Sequence, residues 1–271
     1  MKSRPVKLIP SFREKVWGVT DLSPWFPEST GKIGEVWFLQ PEPGPQPILV
    51  KFIFTSELLS VQVHPEDSYA LAHDGIPGKT EMWHILRAEP GAKLALGFRQ
   101  PVTRERLREA AVSGEIERLL QWYKVSPGET YFIPPGSVHA LGAGVTLCEI
   151  QQNSDITYRL YDYGRPRELH LDKAVDVASL GAHPGASKPE GGVLASCPYF
   201  VTEEAGFTGS TEYKPETDRF HVLVFLNGAG TIAGEPFQAG EVWHVPEGGS
   251  PFTLEVNGTA RVLRVTQPRG C

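Results

Sequence analysis

A twelve-residue pattern occurs twice in this chain and limits what the chain can fold into. Gly128-Glu-Thr-Tyr-Phe-Ile-Pro-Pro-Gly-Ser-Val-His139 runs glycine, five residues, proline, one residue, glycine, two residues, histidine. Gly240-Glu-Val-Trp-His-Val-Pro-Glu-Gly-Gly-Ser-Pro251 keeps every fixed position except the last, where proline stands in place of histidine. A glycine ahead of a short apolar run is a strand entry, and the proline–glycine step after it is a turn. Its repetition predicts two copies of one β-barrel unit, with the closing residue directed into the barrel mouth. The first copy puts a metal-binding side chain there; the second does not.

The remaining sequence agrees with a mostly β chain. Its 28 glycines and 24 prolines punctuate many short apolar runs. Lys15-Val-Trp-Gly, Ile33 to Leu39, Ile48 to Phe54 and Glu81 to Arg87 have the β-branched and aromatic content of strands. Four stretches read as helical: 65–73, opened by a proline and acidic residues, 103–112, 115–122 and 168–180. Gly114 separates the middle two, so residues 102–122 form a small helical insertion. The turn-rich segment 183–192 divides a first unit, residues 1–185, from a second, residues 193–271.

Composition excludes several roles. The net charge of −6 comes without a basic run of the kind that grips nucleic acid. No apolar segment approaches the roughly 20 residues that span a bilayer, and Met1-Lys-Ser-Arg-Pro-Val lacks the apolar region of a signal peptide. Three well-separated cysteines, Cys148, Cys197 and Cys271, do not suggest a disulfide framework. The expectation is a cytoplasmic protein whose partner is a small molecule, not nucleic acid or membrane.

Ser60-Val-Gln-Val-His64 is where chemistry concentrates. On a strand Gln62 and His64 point to one face. Glu81, in Gly78-Lys-Thr-Glu-Met-Trp, adds a carboxylate, and Lys79 shares its face if that stretch is extended. Histidine nitrogen and carboxylate oxygen suit Zn²⁺, and without thiolates Mn²⁺, Co²⁺ or Fe²⁺ also fit. Arg159 offers a planar fork of donors matched to the oxygens of an anion. Glu149, between His139 and Arg159, is a candidate general base. Trp17, Trp37 and Trp83 read as core, and His73, His84, His221 and His244 as structural residues.

Taken together, these segments resemble a known family. Gly128 to His139 is similar to the second motif of the cupin superfamily. Gln62-Val-His64-Pro, Lys79-Thr-Glu81-Met-Trp, the Pro134-Pro-Gly-Ser-Val-His139 turn and Asn153-Ser-Asp-Ile-Thr-Tyr-Arg159, in this order, resemble type I phosphomannose isomerases, most closely the short bacterial ones. The resemblance implies a double-stranded β-helix (cupin) jelly roll in two units. It implies a zinc ion on Gln62, His64, Glu81 and His139, with Lys79 and Arg159 lining the site to bind substrate or move protons. It implies interconversion of mannose 6-phosphate and fructose 6-phosphate through a cis-enediolate. A cupin isomerase of glucose 6-phosphate and a non-catalytic sugar-phosphate sensor are the alternatives. The chain departs from longer members at Gly78, where they have histidine, so a base at that position cannot operate here. It also has Ala140-Leu-Gly-Ala-Gly where generic cupins carry an asparagine.

Overall fold

Both copies of the repeat fold as strand and turn, on glycines in the same conformation. Gly128 (φ +90°) and Gly136 (φ +84°) are matched by Gly240 (φ +86°) and Gly248 (φ +73°), a region that L side chains rarely adopt. At Gly136 a Cβ would also come within 2.9 Å of the Val177 carbonyl oxygen. The structure, a computed structural model, describes residues 4–269; Cys271 lies outside the described residues.

In chain order the elements begin with β1 (Val6–Lys7), β2 (Ile9–Val19), β3 (Ile33–Leu39), β4 (Ile48–Phe54), β5 (Val61–Val63), α1 (Asp67–Asp74), β6 (Glu81–Ala88) and β7 (Lys93–Phe98). They continue with α2 (Arg104–Ser113), α3 (Ile116–Leu119), β8 (Leu120–Lys124), β9 (Thr130–Ile133), β10 (His139–Leu141), β11 (Val145–Gln152), β12 (Tyr158–Tyr161) and α4 (Leu171–Val177). The remainder is β13 (Val193–Ser196), β14 (Val201–Tyr213), β15 (His221–Phe225), β16 (Ala229–Ile232), β17 (Glu235–Gln238), β18 (Val242–Val245) and β19 (Phe252–Thr266).

The strands form three antiparallel sheets that stack in layers. A five-stranded sheet runs β12-β5-β10-β7-β8, and a six-stranded sheet runs β2-β3-β4-β11-β6-β9. Their inner faces meet through Trp17, Ile53, Trp83, Ile85, Leu94, Leu96 and Leu147, which close the first jelly roll. Strand alternation gives each sheet a second apolar face. That of the five-stranded sheet, including Val61, Val63, Ala95 and Tyr158, is covered by Ala70, Leu107, Ala110 and Ala174 of the helices. That of the six-stranded sheet, including Val36, Val50, Phe52 and Ile150, packs on Val222, Val224, Val242 and Val265 of the third sheet. The third sheet curls around Tyr213, Phe225, Phe237, Trp243 and Phe252, so aromatic side chains fill the second barrel. β1 crosses over to this sheet and pairs with β18. Among the described residues no helix is long and apolar enough to cross a membrane.

Two helical expectations are corrected. The segment 115–122 is helical only through α3; Leu120 turns extended (φ −67°, ψ 144°), and Tyr123 and Trp122 pair with Leu94 and Ala95 of β7. Ladder pairing of two aromatics outweighs a weak local helix preference. The helix expected over 168–180 is confined to α4. Its approach is tied to β12 instead: Arg159 Nη1 donates to the Glu168 carbonyl, and the Arg159 backbone N–H donates to His170 Nδ1. Gly114 does end α2, at φ +81°, and Thr103 caps its start by accepting the Arg106 N–H.

Phe52 sits in the apolar layer shared by the six-stranded sheet and the third sheet. It is fully buried, with ring centroids 5.5 Å from Phe26, 5.8 Å from Phe38 and 6.1 Å from Trp25. Phe52→Ala is expected to cost about 3–5 kcal/mol in urea unfolding; a loss under about 1 kcal/mol would mean that this layer is not a shared core.

Candidate metal centre and active site

Strand register assembles the site from two facing rows. Across the five-stranded sheet His139 pairs with Gln62, and Gln62 pairs with Arg159 on its other side. Paired residues share a face, and Val61 and Val63 turn to the helices, so this row faces inward. Across the six-stranded sheet, Trp37, Lys51, Glu149 and Trp83 form the opposing row. Between the rows lies a cavity of about 260 Å³, lined among others by Gln62, Lys79, Trp83, His139, Glu149 and Arg159. Trp17 and Trp83 are core residues, as expected, and also form cavity wall.

His64, Glu81 and His139 converge at its floor, each at most 2% exposed. One ligand atom from each lies within 4.8 Å of the others. His64 Nε2 is 3.6 Å and His139 Nε2 3.7 Å from Glu81 Oε1. Local folding explains the convergence. Gly136 in the repeat's turn donates its N–H to the His64 carbonyl at 2.8 Å, which fixes the turn that carries His139 against the strand end that carries His64. The Nδ1 atoms lie 2.8 Å from the Ile156 carbonyl and 2.9 Å from the Ser137 carbonyl. A carbonyl can only accept, so each Nδ1 bears the proton and each Nε2 lone pair faces the cluster. Burial holds both imidazoles in the neutral form, His139 down to about 4.

The cluster fits a divalent cation. His64 Nε2 and Glu81 Oε1 are buried with no hydrogen-bond partner, a costly arrangement unless a cation joins them. Gln62 stands next to this set: its amide nitrogen is 3.1 Å from His139 Nε2. A half-turn of that amide presents Oε1, the atom a metal takes, to the same point.

Next to the cluster lies a buried quartet of charge. Lys79 Nζ is 2.9 Å from Glu81 and 3.8 Å from Glu149, and Lys51 Nζ is 3.2 Å from Glu149. The indole N–H of Trp83 donates to the second oxygen of Glu149 at 2.8 Å. Burial alone would raise Glu149, but Lys79 and Lys51 outweigh it and hold the carboxyl well below the usual range. Glu81 moves the other way, raised by burial and by Glu149 against the pull of Lys79. Burial would likewise lower Lys79; Glu149 and Glu81 outweigh it, and Lys79 stays an ammonium.

Five of the seven residues singled out in the sequence line one cavity, and the other two, His64 and Glu81, cluster with its His139. One local expectation differs: Lys79 is not on a strand but in the loop before β6, held by its N–H to the Pro65 carbonyl. Gly78 has a steric reason as well. A Cβ there would lie 2.5 Å from the Pro65 carbonyl oxygen, so position 78 admits no side chain. Lys51, Lys15, Glu35 and Arg167 also line the cavity, and sequence reasoning missed them. For Lys51 a signal existed, a single charge at the centre of the apolar run Ile48 to Phe54. In the second unit, Pro251 occupies the position of His139, and His221 is bound to Tyr213 and Glu216.

Fold and site define a two-unit cupin protein with a buried cluster suited to a divalent metal. No protein-family model matches the chain. A mannose-6-phosphate isomerase of Bacillus subtilis is 32% identical over an alignment 307 positions long, which covers 94% of this chain and 97% of that one. The crystal structure of the mannose 6-phosphate isomerase from Bacillus subtilis superposes with a TM-score of 0.83 at 29% identity, covering 98% of this chain and all of that one. A zinc-bound mannose 6-phosphate isomerase shares the fold, with a TM-score of 0.75 at 17% identity over 98% of this chain and 100% of that one. The chain belongs to the mannose-6-phosphate isomerase family.

Proposed function

We propose that the chain is a zinc-dependent aldose–ketose isomerase that interconverts mannose 6-phosphate and fructose 6-phosphate. One observation carries the reading: a buried His64–Glu81–His139 cluster with uncommitted ligand atoms opens beside an acid–base pair, Lys79 and Glu149, on one polar cavity. Membership of the family supplies the substrate.

Gln62, His64, Glu81 and His139 would hold the metal. Bound there, a divalent ion supplies Lewis acidity toward the C1 and C2 oxygens of an open-chain sugar. Three of the four side chains are neutral and one is anionic, so the loaded site keeps a positive balance, which favours an enediolate. Glu149, ionised between Lys51 and Lys79, takes the proton from one carbon and returns it to the other. Lys79 Nζ donates to the sugar oxygen as charge develops on it. Lys51 and the Trp83 indole hold Glu149 in place. The apolar wall of Ile53, Leu59 and Trp83 limits water around the intermediate. In this reading residues 1–185 carry the chemistry, and residues 193–271 support them through the shared core. A sugar-phosphate substrate also accords with the cytoplasmic location expected from the sequence.

The test is a coupled assay for fructose 6-phosphate formed from mannose 6-phosphate, run as isolated, after chelation and after return of Zn²⁺. Turnover that disappears and returns is expected, with glucose 6-phosphate turned over far more slowly. Turnover of glucose 6-phosphate alone would change the substrate, and a metal-loaded protein inert to both would favour a sensor.

A further inference from the structure

We propose that Arg167, held by Asp162, joins Arg159 in a two-arginine clamp for the phosphate of the substrate, an inference that rests on the sugar-phosphate reading above. Charge accounting across the cavity points there. Lys51 and Lys79 are matched by Glu149 and Glu81, and Lys15 lies 3.3 Å from Glu35. That end of the cavity has no surplus cation for a dianion.

The opposite rim differs. Arg165 and Arg167 gather around a buried carboxylate, Asp162, which is 1% exposed, and Arg159 lies three residues before it in the chain. Arg167 grips it bidentately, Nε and Nη2 each 2.6 Å from a carboxylate oxygen, and Arg165 Nη2 lies 3.0 Å from it. Arg159 has no carboxylate within ion-pair distance among the described residues, and its buried Nε has no hydrogen-bond partner. Burial, then Arg167, lowers the pKa of Arg159. Asp155 and Glu168 are also nearby, but both are exposed to water and screened. Three arginines against one buried aspartate leave a surplus of about two positive charges, the complement of a phosphate dianion.

Position agrees with charge. Both Arg159 and Arg167 line the cavity. Arg159 is one strand beyond Gln62 and two beyond His139, at about 4.8 Å per strand. A six-carbon chain with its reacting end at the cluster extends its phosphate in that direction. Arg165 is committed elsewhere, its Nη2 bonded to the Leu58 carbonyl at 2.8 Å. With Nε and Nη2 of Arg167 on Asp162, Nη1 is the edge left for an incoming oxygen. Asp162 is therefore a positioning residue.

The test compares wild type, Arg167→Ala, Arg167→Lys and Asp162→Asn, all zinc-loaded. It reads kcat and KM with mannose 6-phosphate and the inhibition constant of inorganic phosphate as a competitor. For Arg167→Ala, KM and the phosphate inhibition constant are expected to rise together, on the order of 10- to 100-fold, while kcat falls much less. Arg167→Lys recovers part of both, because it restores charge without the fork. Asp162→Asn, if folded by circular dichroism, shifts the same two constants in the same direction. Wild-type turnover with both constants within twofold in Arg167→Ala would overturn the clamp alone. No wild-type turnover of mannose 6-phosphate would overturn the functional reading and the clamp with it.

Discussion

His139→Ala is expected to empty the metal site: zinc falls from about one per chain to near zero, and turnover falls by about 10³-fold or more. His139 is 1% exposed, and its Nε2 faces Glu81 because the Ser137 carbonyl fixes the other ring nitrogen. Loss of an outer-shell partner alone costs 10- to 100-fold in metal affinity, and removing a ligand costs more. The barrel should survive, since β10 pairs with β5 and β7 through its backbone. Metal analysis of the dialysed variant, with circular dichroism as a control, checks this. Retained stoichiometric zinc would place the metal elsewhere.

Glu149→Gln carries the second large effect, and it divides into stability and chemistry. Glu149 is the common partner of two buried lysines. Removing one member of a buried charged group leaves uncompensated charge, which costs about 3–5 kcal/mol. Lys51→Met removes a cation that then has no partner. The double variant Lys51→Met/Glu149→Gln should therefore lose less stability than the sum of the single losses, by about 1–3 kcal/mol. Turnover should behave differently. If Glu149 moves the proton, kcat falls on the order of 10²- to 10⁴-fold in both the single and the double variant. Additive stability losses would contradict the buried network. Recovery of turnover in the double variant would reduce Glu149 to a structural carboxylate.

The candidate metal ligands were legible because they sit in local patterns. Gln62 and His64 are two apart beside β-branched residues, and His139 closes a repeat whose turn glycines need positive φ. Alternation and turn chemistry are short-range, so one strand or one turn suffices to read them. The fold class followed from the same repeat. What the sequence hid depends on register. Lys51 faces Glu149 only because β4 and β11 pair at that offset, and nothing within Ile48 to Phe54 names its partner. Trp122 was helical by its neighbours and extended by its pairing with Ala95. Asp162 and Arg167 sit outside any periodic element, and their link is visible only as a bidentate contact in three dimensions. The stacking of the third sheet on Phe52 and Val50 is likewise a property of two surfaces, not of either segment.

The most direct test of the account is anomalous scattering at the zinc edge from crystals of the protein grown with Zn²⁺. One strong peak per chain is expected, enclosed by Gln62, His64, Glu81 and His139, with histidine nitrogens at about 2.0–2.1 Å. A strong peak away from these four side chains, with none among them, would contradict it.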